Sequence, residues 1–207
     1  MIRAILAASL MLLLIFVLYL PSANPPERFL ARMRLEHRSN AAYWGNGPAM
    51  RIMERGLAMN AALSSASPVP DERSAPRFDP VQEAVGHEMG RVNKRFFGNG
   101  YFRAIDALLL LATYRVAALM EWLPIEAFAL AALLLDGQFV RLRRSKEFVK
   151  HDPEWFALHA SAFVLVACGS VVAFVTPIDI QPPLLGALPL VAGVFFSRVV
   201  ANFHRRG

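Results

Sequence analysis

Uncharged apolar runs limit the folds open to this chain. The first run, residues 4–20, contains no charged residue, and most of residues 101–203 reads as further long apolar stretches. Crossing the hydrocarbon core of a bilayer takes about 20 mostly apolar residues. Hydrophobic residues make up 56% of the 207 residues and charged residues only 18%, a balance too apolar for an ordinary soluble domain. The sequence therefore predicts an integral membrane protein.

Cysteine content and the placement of charge make a disulfide scaffold and a nucleic-acid-binding protein unlikely classes for this chain. Cys168 is the single cysteine, so the chain can form neither an internal disulfide nor a multi-cysteine metal site. The net charge of +6 would suggest nucleic acid in a soluble protein, but here the basic residues lie beside apolar runs. In that setting they are better interpreted as topology determinants and as contacts to anionic lipids. We expect the lipid bilayer as a partner and no direct binding of nucleic acid.

The apolar runs predict five membrane spans and an all-α membrane protein. Residues 1–20 form an N-terminal transmembrane anchor, with a cleaved signal peptide as the alternative, and residues 101–207 form a four-helix transmembrane bundle. The four spans of this bundle are predicted at 101–123, 125–140, 155–175 and 184–201. The first two are separated by residues 121–126, where two acids, a tryptophan and a proline indicate an interfacial turn.

Lys and Arg residues near the span ends predict the orientation, because they stay preferentially in the cytoplasm. Basic residues at 141–150 and at 205–206 place the third-to-fourth connection and the C-terminus inside. With five spans, residues 21–100 then also lie inside. Arg3, at the start of the first span, opposes this arrangement because a basic residue there favours an N-terminus in the cytoplasm. If the second and third runs are not both full spans, the segment moves to the periplasm.

The segment 21–100 is predicted to be soluble and partly helical. Helical patterns begin near residues 24, 48 and 79, and the last carries an apolar stripe and ends at Gly98. Residues 64–77 are rich in Ser, Pro and Ala and are interpreted as a linker. The apolar stripes of these helices either pack against one another or dock a partner helix.

Ionisable residues within the spans are the candidate functional positions. Such residues are costly in a membrane and usually face a partner or a water-filled cavity. Structural pairing predicts that Asp106 and Asp136 lie at similar depth, with Arg103 and Arg141 close enough to pair with them. It also predicts that Arg115 pairs with an acid of the predicted turn, Glu121 or Glu126. The alternative is an ion or proton relay through Asp106, Arg115, Asp136 and His159.

Motifs for catalysis are not recognisable in the sequence. His87 and Glu88 begin like a zinc-protease helix, but Arg91 stands where the second histidine is required. The sequence contains no phosphate-cradling glycine loop, no Gly-x-Ser-x-Gly elbow and no His/Cys cluster at metal-ligand spacing. We therefore expect no enzymatic activity, catalytic residue, cofactor or metal.

The second half of the chain resembles a family of membrane proteins encoded by integrating conjugative elements and conjugative plasmids. The resemblance lies in the residues at 101–109, 112–115, 121–124, 145–148 and 203–206, and in the layout of one N-terminal span followed by a variable soluble stretch. It implies a bacterial inner-membrane component of a conjugative DNA-transfer locus, working near the type IV secretion channel or its coupling ATPase. The family has no established activity, so no catalytic residue can be carried over.

Together these observations predict a structural or interaction subunit of a conjugative DNA-transfer apparatus, with other membrane proteins of that apparatus as partners. The rival hypothesis is a small transporter or channel accessory that uses Asp106, Arg115 and Asp136. A continuous polar cavity around those side chains would favour the transporter, and paired charges would favour the interaction subunit.

Overall fold

The computed structural model describes residues 2–66, 100–146 and 153–203, and every regular element in these ranges is an α-helix. The helices are α1 (Ile2–Ala23), α2 (Pro26–Trp44), α3 (Asn46–Ala66), α4 (Gly100–Lys146), α5 (Pro153–Val175) and α6 (Pro182–Asn202). Four of them, α1, α4, α5 and α6, are long and apolar enough to cross a membrane. The predicted all-α fold class is confirmed. The predicted helix beginning near residue 79 and most of the predicted linker 64–77 lie outside the described residues.

Helix α4 corrects the predicted span count. Residues 121–126, predicted to be a turn, are helical, and Pro124 lies inside a single helix of 47 residues. At 1.5 Å per residue this helix is about 70 Å long, more than twice the roughly 30 Å hydrocarbon core of a bilayer. The two predicted spans at 101–123 and 125–140 are therefore the two halves of one helix, and only one half at a time fits within a bilayer.

The second half of α4 packs along α6, and contacts along both helices show that they run parallel. Gly186 lies beside Glu126, Gly193 beside Leu130, and further along Ser197 lies beside Gly137. Helix α5 runs antiparallel to α6, since Phe163 stacks near Phe196 and Phe156 near Phe203. Helix α1 packs mainly against α5. We call α1, α5, α6 and residues 126–144 of α4 the apolar bundle.

Large apolar side chains face outward over most of the apolar bundle. On α1 the exposed side chains include Met11 and Leu12, and on the second half of α4 they include Phe128, which is 87% exposed, and Phe139. A surface of this kind would aggregate in water but is suited to lipid. The outward-facing side chains therefore support the bundle as the part of the chain that lies in a membrane.

The first half of α4 has a different environment, because α2 and α3 cover it. These two helices form a hairpin joined at Gly45, whose φ of 84° lies in the left-handed region that favours glycine. At Gly56 a Cβ atom would lie only 3.0 Å from the Cα of Tyr114, so the glycine lets α3 cross α4 closely. We call α2, α3 and residues 100–122 of α4 the cap layer.

Buried apolar clusters hold the cap layer to one end of the apolar bundle. In the first cluster Leu20 and Val175, near the ends of α1 and α5, meet Phe29 of α2 and Leu111 of α4. The second cluster comprises Ile52, Tyr114, Ala117, Ala118, Ile180 and Leu185. The described core is thus concentrated at the junction between cap layer and bundle.

Candidate functional site

Arg115 lies at the centre of the junction between cap layer and apolar bundle. Its side chain is completely buried, and the side chain of Glu36 on α2, beside it, is 1% exposed. The Nε atom of Arg115 donates hydrogen bonds to Glu36 Oε2 at 2.9 Å and to Oε1 at 3.1 Å, and Nη2 donates to Oε1 as well. This bidentate ion pair joins α2 to α4.

The same guanidinium group donates to the end of α5 and to the connection that follows it. Nη1 donates to the carbonyl oxygens of Ala173 and Thr176, both at 2.6 Å, and to that of Phe174 at 3.2 Å. Nη2 donates to the carbonyl oxygen of Ile178 at 2.7 Å. The last carbonyls of a helix have no partner within the helix and carry partial negative charge, so a buried cation there satisfies and stabilises them.

All three nitrogens of the Arg115 guanidinium group are therefore occupied by acceptors of the chain itself. Burial raises the pKa of Glu36, while the hydrogen bonds and charge of Arg115 oppose that rise. Breaking a buried ion pair leaves an uncompensated charge, which makes such a pair costly to disturb. The arrangement is a structural clamp across α2, α4 and the end of α5, with no free donor for a substrate.

A second polar contact lies one residue away on α4. The side-chain amide of Asn40 donates to the hydroxyl oxygen of Tyr114 at 3.0 Å, and His37 Nδ1 lies 3.4 Å from the same oxygen. Asn40 and Tyr114 are both buried. Buried polar groups that find partners in this way fix the register between two helices.

Glu121 binds two arginines of α3. Arg51 Nη2 donates to Glu121 Oε1 at 2.6 Å, and Arg55 Nη1 donates to Oε2 at 3.3 Å. The side chain of Arg51 is more than half exposed, so this contact contributes less than the Arg115 clamp. The predicted pairing of Arg115 with Glu121 or Glu126 is wrong, because the clamp carboxylate comes from α2.

Aromatic side chains mark the level at which the cap layer meets the apolar bundle. The ring centroids of Trp44 and Trp122 lie 4.7 Å apart, and Tyr43 packs 5.8 Å from Trp122. Trp155, at the start of α5, lies at the other end of the bundle. Tryptophan and tyrosine concentrate at both surfaces of a bilayer, which agrees with membrane boundaries near Trp122 and Trp155.

Glu126 lies at the start of the apolar bundle, about one helical turn after Trp122 on α4. It is buried against α6, where a Cβ atom added to Gly186 would lie 2.9 Å from Glu126 Oε1. Its other carboxyl oxygen has no hydrogen-bond partner among the described residues. Glycine at position 186 therefore makes room for both Glu126 and Trp122 at the start of α6.

The remaining predicted pairs are not formed as expected. Asp136 pairs with Arg198 at 3.9 Å, with both side chains about half exposed, while Arg141 lies over the ring of Phe203. Arg103 and Asp106 are exposed, and within the described ranges no ion pair joins them. These predicted pairings were wrong because they assumed a turn that places residues 106 and 136 side by side.

The residues of the proposed relay are also not brought together. Asp106 lies in the first half of α4 and Asp136 in the second, on either side of Pro124, and Arg115 is fully engaged. His159 Nδ1 lies 2.7 Å from the carbonyl oxygen of Trp155 within its own helix. The described residues thus provide no continuous polar path through these four side chains.

Glu36 is the site residue that the sequence analysis missed. The pattern contains a signal for it, since Phe29, Met33, Glu36 and Asn40 follow one another at helical spacing on one face of α2. A carboxylate and an amide that continue an apolar stripe indicate buried polar groups with partners. A partner in a distant helix cannot be identified from the spacing alone.

Comparisons with known proteins place the chain in a family. A protein-family model described as IncC plasmid conjugative DNA transfer protein DtrJ-like matches residues 56–204, which include Arg115, Glu121 and the apolar bundle from α4 onward. Comparison with curated proteins and with solved structures found no match. The resemblance to proteins of conjugative elements is confirmed. The chain, whose Arg115 and long central helix α4 fall within the matched region, belongs to the DtrJ-like family of conjugative DNA transfer proteins.

Proposed function

We propose that the chain is a multi-pass inner-membrane subunit of a conjugative DNA-transfer apparatus, with a structural or interaction role and no enzymatic activity. The observation that carries the proposal is the division of α4. Its second half belongs to an outwardly apolar bundle, and its first half is the central helix of a cap layer fixed by Arg115 and Glu36. A rigid connection of this kind suits a subunit that holds an extramembrane surface at a defined position.

The proposed orientation places the cap layer in the periplasm. The second half of α4, α5 and α6 run in alternating directions, and the end of α1 packs beside the end of α5, so Lys146, Pro153 and Asn202 lie on the same side as the start of α1. That side carries Arg3 and the basic residues at 141–150 and 205–206, all in short segments, where the positive-inside rule applies. The segment between α1 and the bundle half of α4 is about 100 residues long, and loops beyond about 60 residues cross largely regardless of charge.

Single-cysteine labelling tests this orientation in the intact protein. In a Cys168→Ala background, Ser64→Cys lies at the exposed end of α3 and Lys146→Cys at the end of α4. We expect a membrane-impermeant maleimide to label Ser64→Cys in intact cells and Lys146→Cys only after lysis. The reverse pattern would place the cap layer in the cytoplasm, and labelling of both positions in intact cells would contradict the proposed set of spans.

The cap layer is the proposed contact with other transfer proteins. Met50 and Leu57, seven residues apart on one face of α3, are 52% and 49% exposed. Exposed apolar side chains on a layer outside the bundle are typical of protein interfaces. Exchanging both for glutamate should reduce recovery of partner proteins from native membranes and lower the frequency of DNA transfer.

A control variant separates loss of a contact from the effect of added charge. Ala58 and Ala62 are exposed on a neighbouring stripe of the same helix, so Ala58→Glu with Ala62→Glu adds the same two charges. We expect the control to retain partner recovery and transfer. If both double variants lost partner recovery and transfer equally, or if neither did, the proposed role of Met50 and Leu57 would be contradicted.

A further inference from the structure

A cleft of 390 Å³ lies where the connection between α1 and α2 faces the connection between α5 and α6. Leu20 and Asn24 border it at the end of α1, Arg28, Arg32 and Leu35 on α2, and Ile178 on the opposite connection. Its volume falls within the range of small-molecule sites in proteins. The cleft shares Thr176 and Ile178 with the Arg115 clamp, but the Arg115 side chain is buried and does not line it.

The charge of the cleft favours an anion. Arg28 and Arg32 are four residues apart on one face of α2, and none of the described residues that line the cleft is acidic. Arg28 Nη1 donates to Asn24 Oδ1 at 2.9 Å, which holds the guanidinium group at the end of α1. Within the described ranges Arg32 makes no side-chain hydrogen bond or ion pair. Two arginines with unused donors match the geometry of a phosphate group.

The apolar part of the cleft favours a lipid over a soluble anion. Leu20, Leu35 and Ile178 lie beside the two arginines, and Ile178 is 51% exposed. The exposed apolar surface of α1 continues from the same end through Leu18 and Leu14. The cleft is at the level where α1 and α5 end, which is where lipid headgroups lie if the bundle crosses the bilayer as proposed.

We propose that this cleft binds the phosphate group of an anionic phospholipid, with Arg28 and Arg32 as the phosphate ligands and an acyl chain lying along α1. The inference rests on the proposed membrane placement of the bundle. A soluble phosphate shares the headgroup chemistry but would gain nothing from the apolar surface that adjoins the arginines. Binding of this lipid would brace the start of α2 against the ends of α1 and α5.

The test uses the full chain purified in an uncharged detergent. Phosphatidylglycerol, phosphatidylcholine and inorganic phosphate are titrated separately, and lipid retention by native mass spectrometry is compared with the shift in the unfolding temperature. We expect phosphatidylglycerol to be retained and to raise the unfolding temperature, with much smaller effects from the other two. Arg28→Gln with Arg32→Gln should weaken phosphatidylglycerol binding about tenfold or more.

A charge-matched control comes from the same helix. Arg34 and Arg38 are exposed and do not line the cleft, so Arg34→Gln with Arg38→Gln removes the same charge elsewhere. Binding equal to that of the unmodified chain in this control supports the site. Equal weakening in both double variants would show unspecific attraction, and equal stabilisation by inorganic phosphate would show a soluble-anion site. No retention by the unmodified chain would refute the site while leaving the labelling test of orientation unaffected.

Discussion

Arg115 is a fixed part of the packing because each of its guanidinium nitrogens already has an acceptor. Its burial costs solvation free energy, which the Glu36 carboxylate and four backbone carbonyls offset. The clamp therefore holds three segments that are far apart in sequence. Side chains of this kind specify one arrangement of helices and disfavour others.

Replacing Arg115 by leucine should destabilise the chain strongly. The variant leaves the Glu36 carboxylate buried without a cation and the end carbonyls of α5 without their donor. Removing one partner of a buried pair typically costs about 3 to 5 kcal/mol. We expect a loss of that order in the free energy of unfolding, measured by denaturant titration of the protein in detergent.

Arg51→Leu is the matched control, since Arg51 also pairs with a glutamate but its side chain is 57% exposed. Exposed pairs contribute about 0 to 1 kcal/mol, so this variant should remain close to the unmodified chain. If both variants lost a similarly small amount of unfolding free energy, water would have to reach the Arg115 site and replace its contacts.

At the scale of whole helices, the sequence predicted that the apolar helices exist. It did not predict that α4 is one continuous helix. The runs that became α1, α5 and α6 have the length and composition of spans, and α3 follows the apolar spacing from residue 48. The failure lay at residues 121–126, where proline within a charged and aromatic stretch is typical of a turn. Proline inside a helix usually kinks or ends it. Here the helix continues through Pro124, with Glu121 bound by Arg51 of α3 before the proline and Glu126 packed against Gly186 of α6 after it. That packing is tertiary information, which also explains why the site's partner residues could not be predicted.

The continuity of α4 can be measured directly by a distance between spin labels. Leu109 and Leu135 are exposed, and attaching labels at Leu109→Cys and Leu135→Cys in a Cys168→Ala background leaves the core intact. A continuous helix keeps these positions well apart, at about 39 Å for a straight axis at 1.5 Å per residue and at less where the axis bends at Pro124. A hairpin that turns at 121–126 would bring them within about 20 Å, because packed helix axes are about 8 to 10 Å apart. We expect the longer distance by pulsed electron paramagnetic resonance.

The close approach of α4 and α6 gives a second prediction at this scale. A Cβ atom at position 137 would lie 2.6 Å from the backbone oxygen of Ser197, so Gly137→Ala should force the two helices apart. Overpacking of this kind costs about 1 to 3 kcal/mol, which a lowered unfolding temperature would report. In α5, Gly169 has no atom within 4 Å of an added Cβ, so Gly169→Ala should be neutral or stabilising. If Gly137→Ala left the unfolding temperature unchanged, the two helices would not be packed at this distance.

For the whole molecule, the division of α4 changes which charges decide the orientation. Five spans would place the arginines after α1 in the cytoplasm, in conflict with Arg3 at the N-terminus. Four crossings, with the cap layer outside the bilayer, put Arg3 on the same side as the basic residues that follow α4 and α6. In the proposed arrangement this conflict disappears, and the arginines of α2 belong to the long segment that is proposed to be translocated.

Two charge-removal variants distinguish these arrangements. Exchanging the four basic residues that end α4, Arg141, Arg143, Arg144 and Lys146, for glutamine should increase the fraction of molecules inserted in the wrong orientation, because short segments obey the positive-inside rule. Exchanging Arg28, Arg32, Arg34 and Arg38 removes the same charge from the long segment and should leave orientation unchanged. The measurement is the fraction of Ser64→Cys accessible to an impermeant maleimide in intact cells. If the α2 arginines, and not those of α4, controlled that fraction, the cap layer would be a cytoplasmic structure and Arg115 would clamp it to the inner face of the membrane.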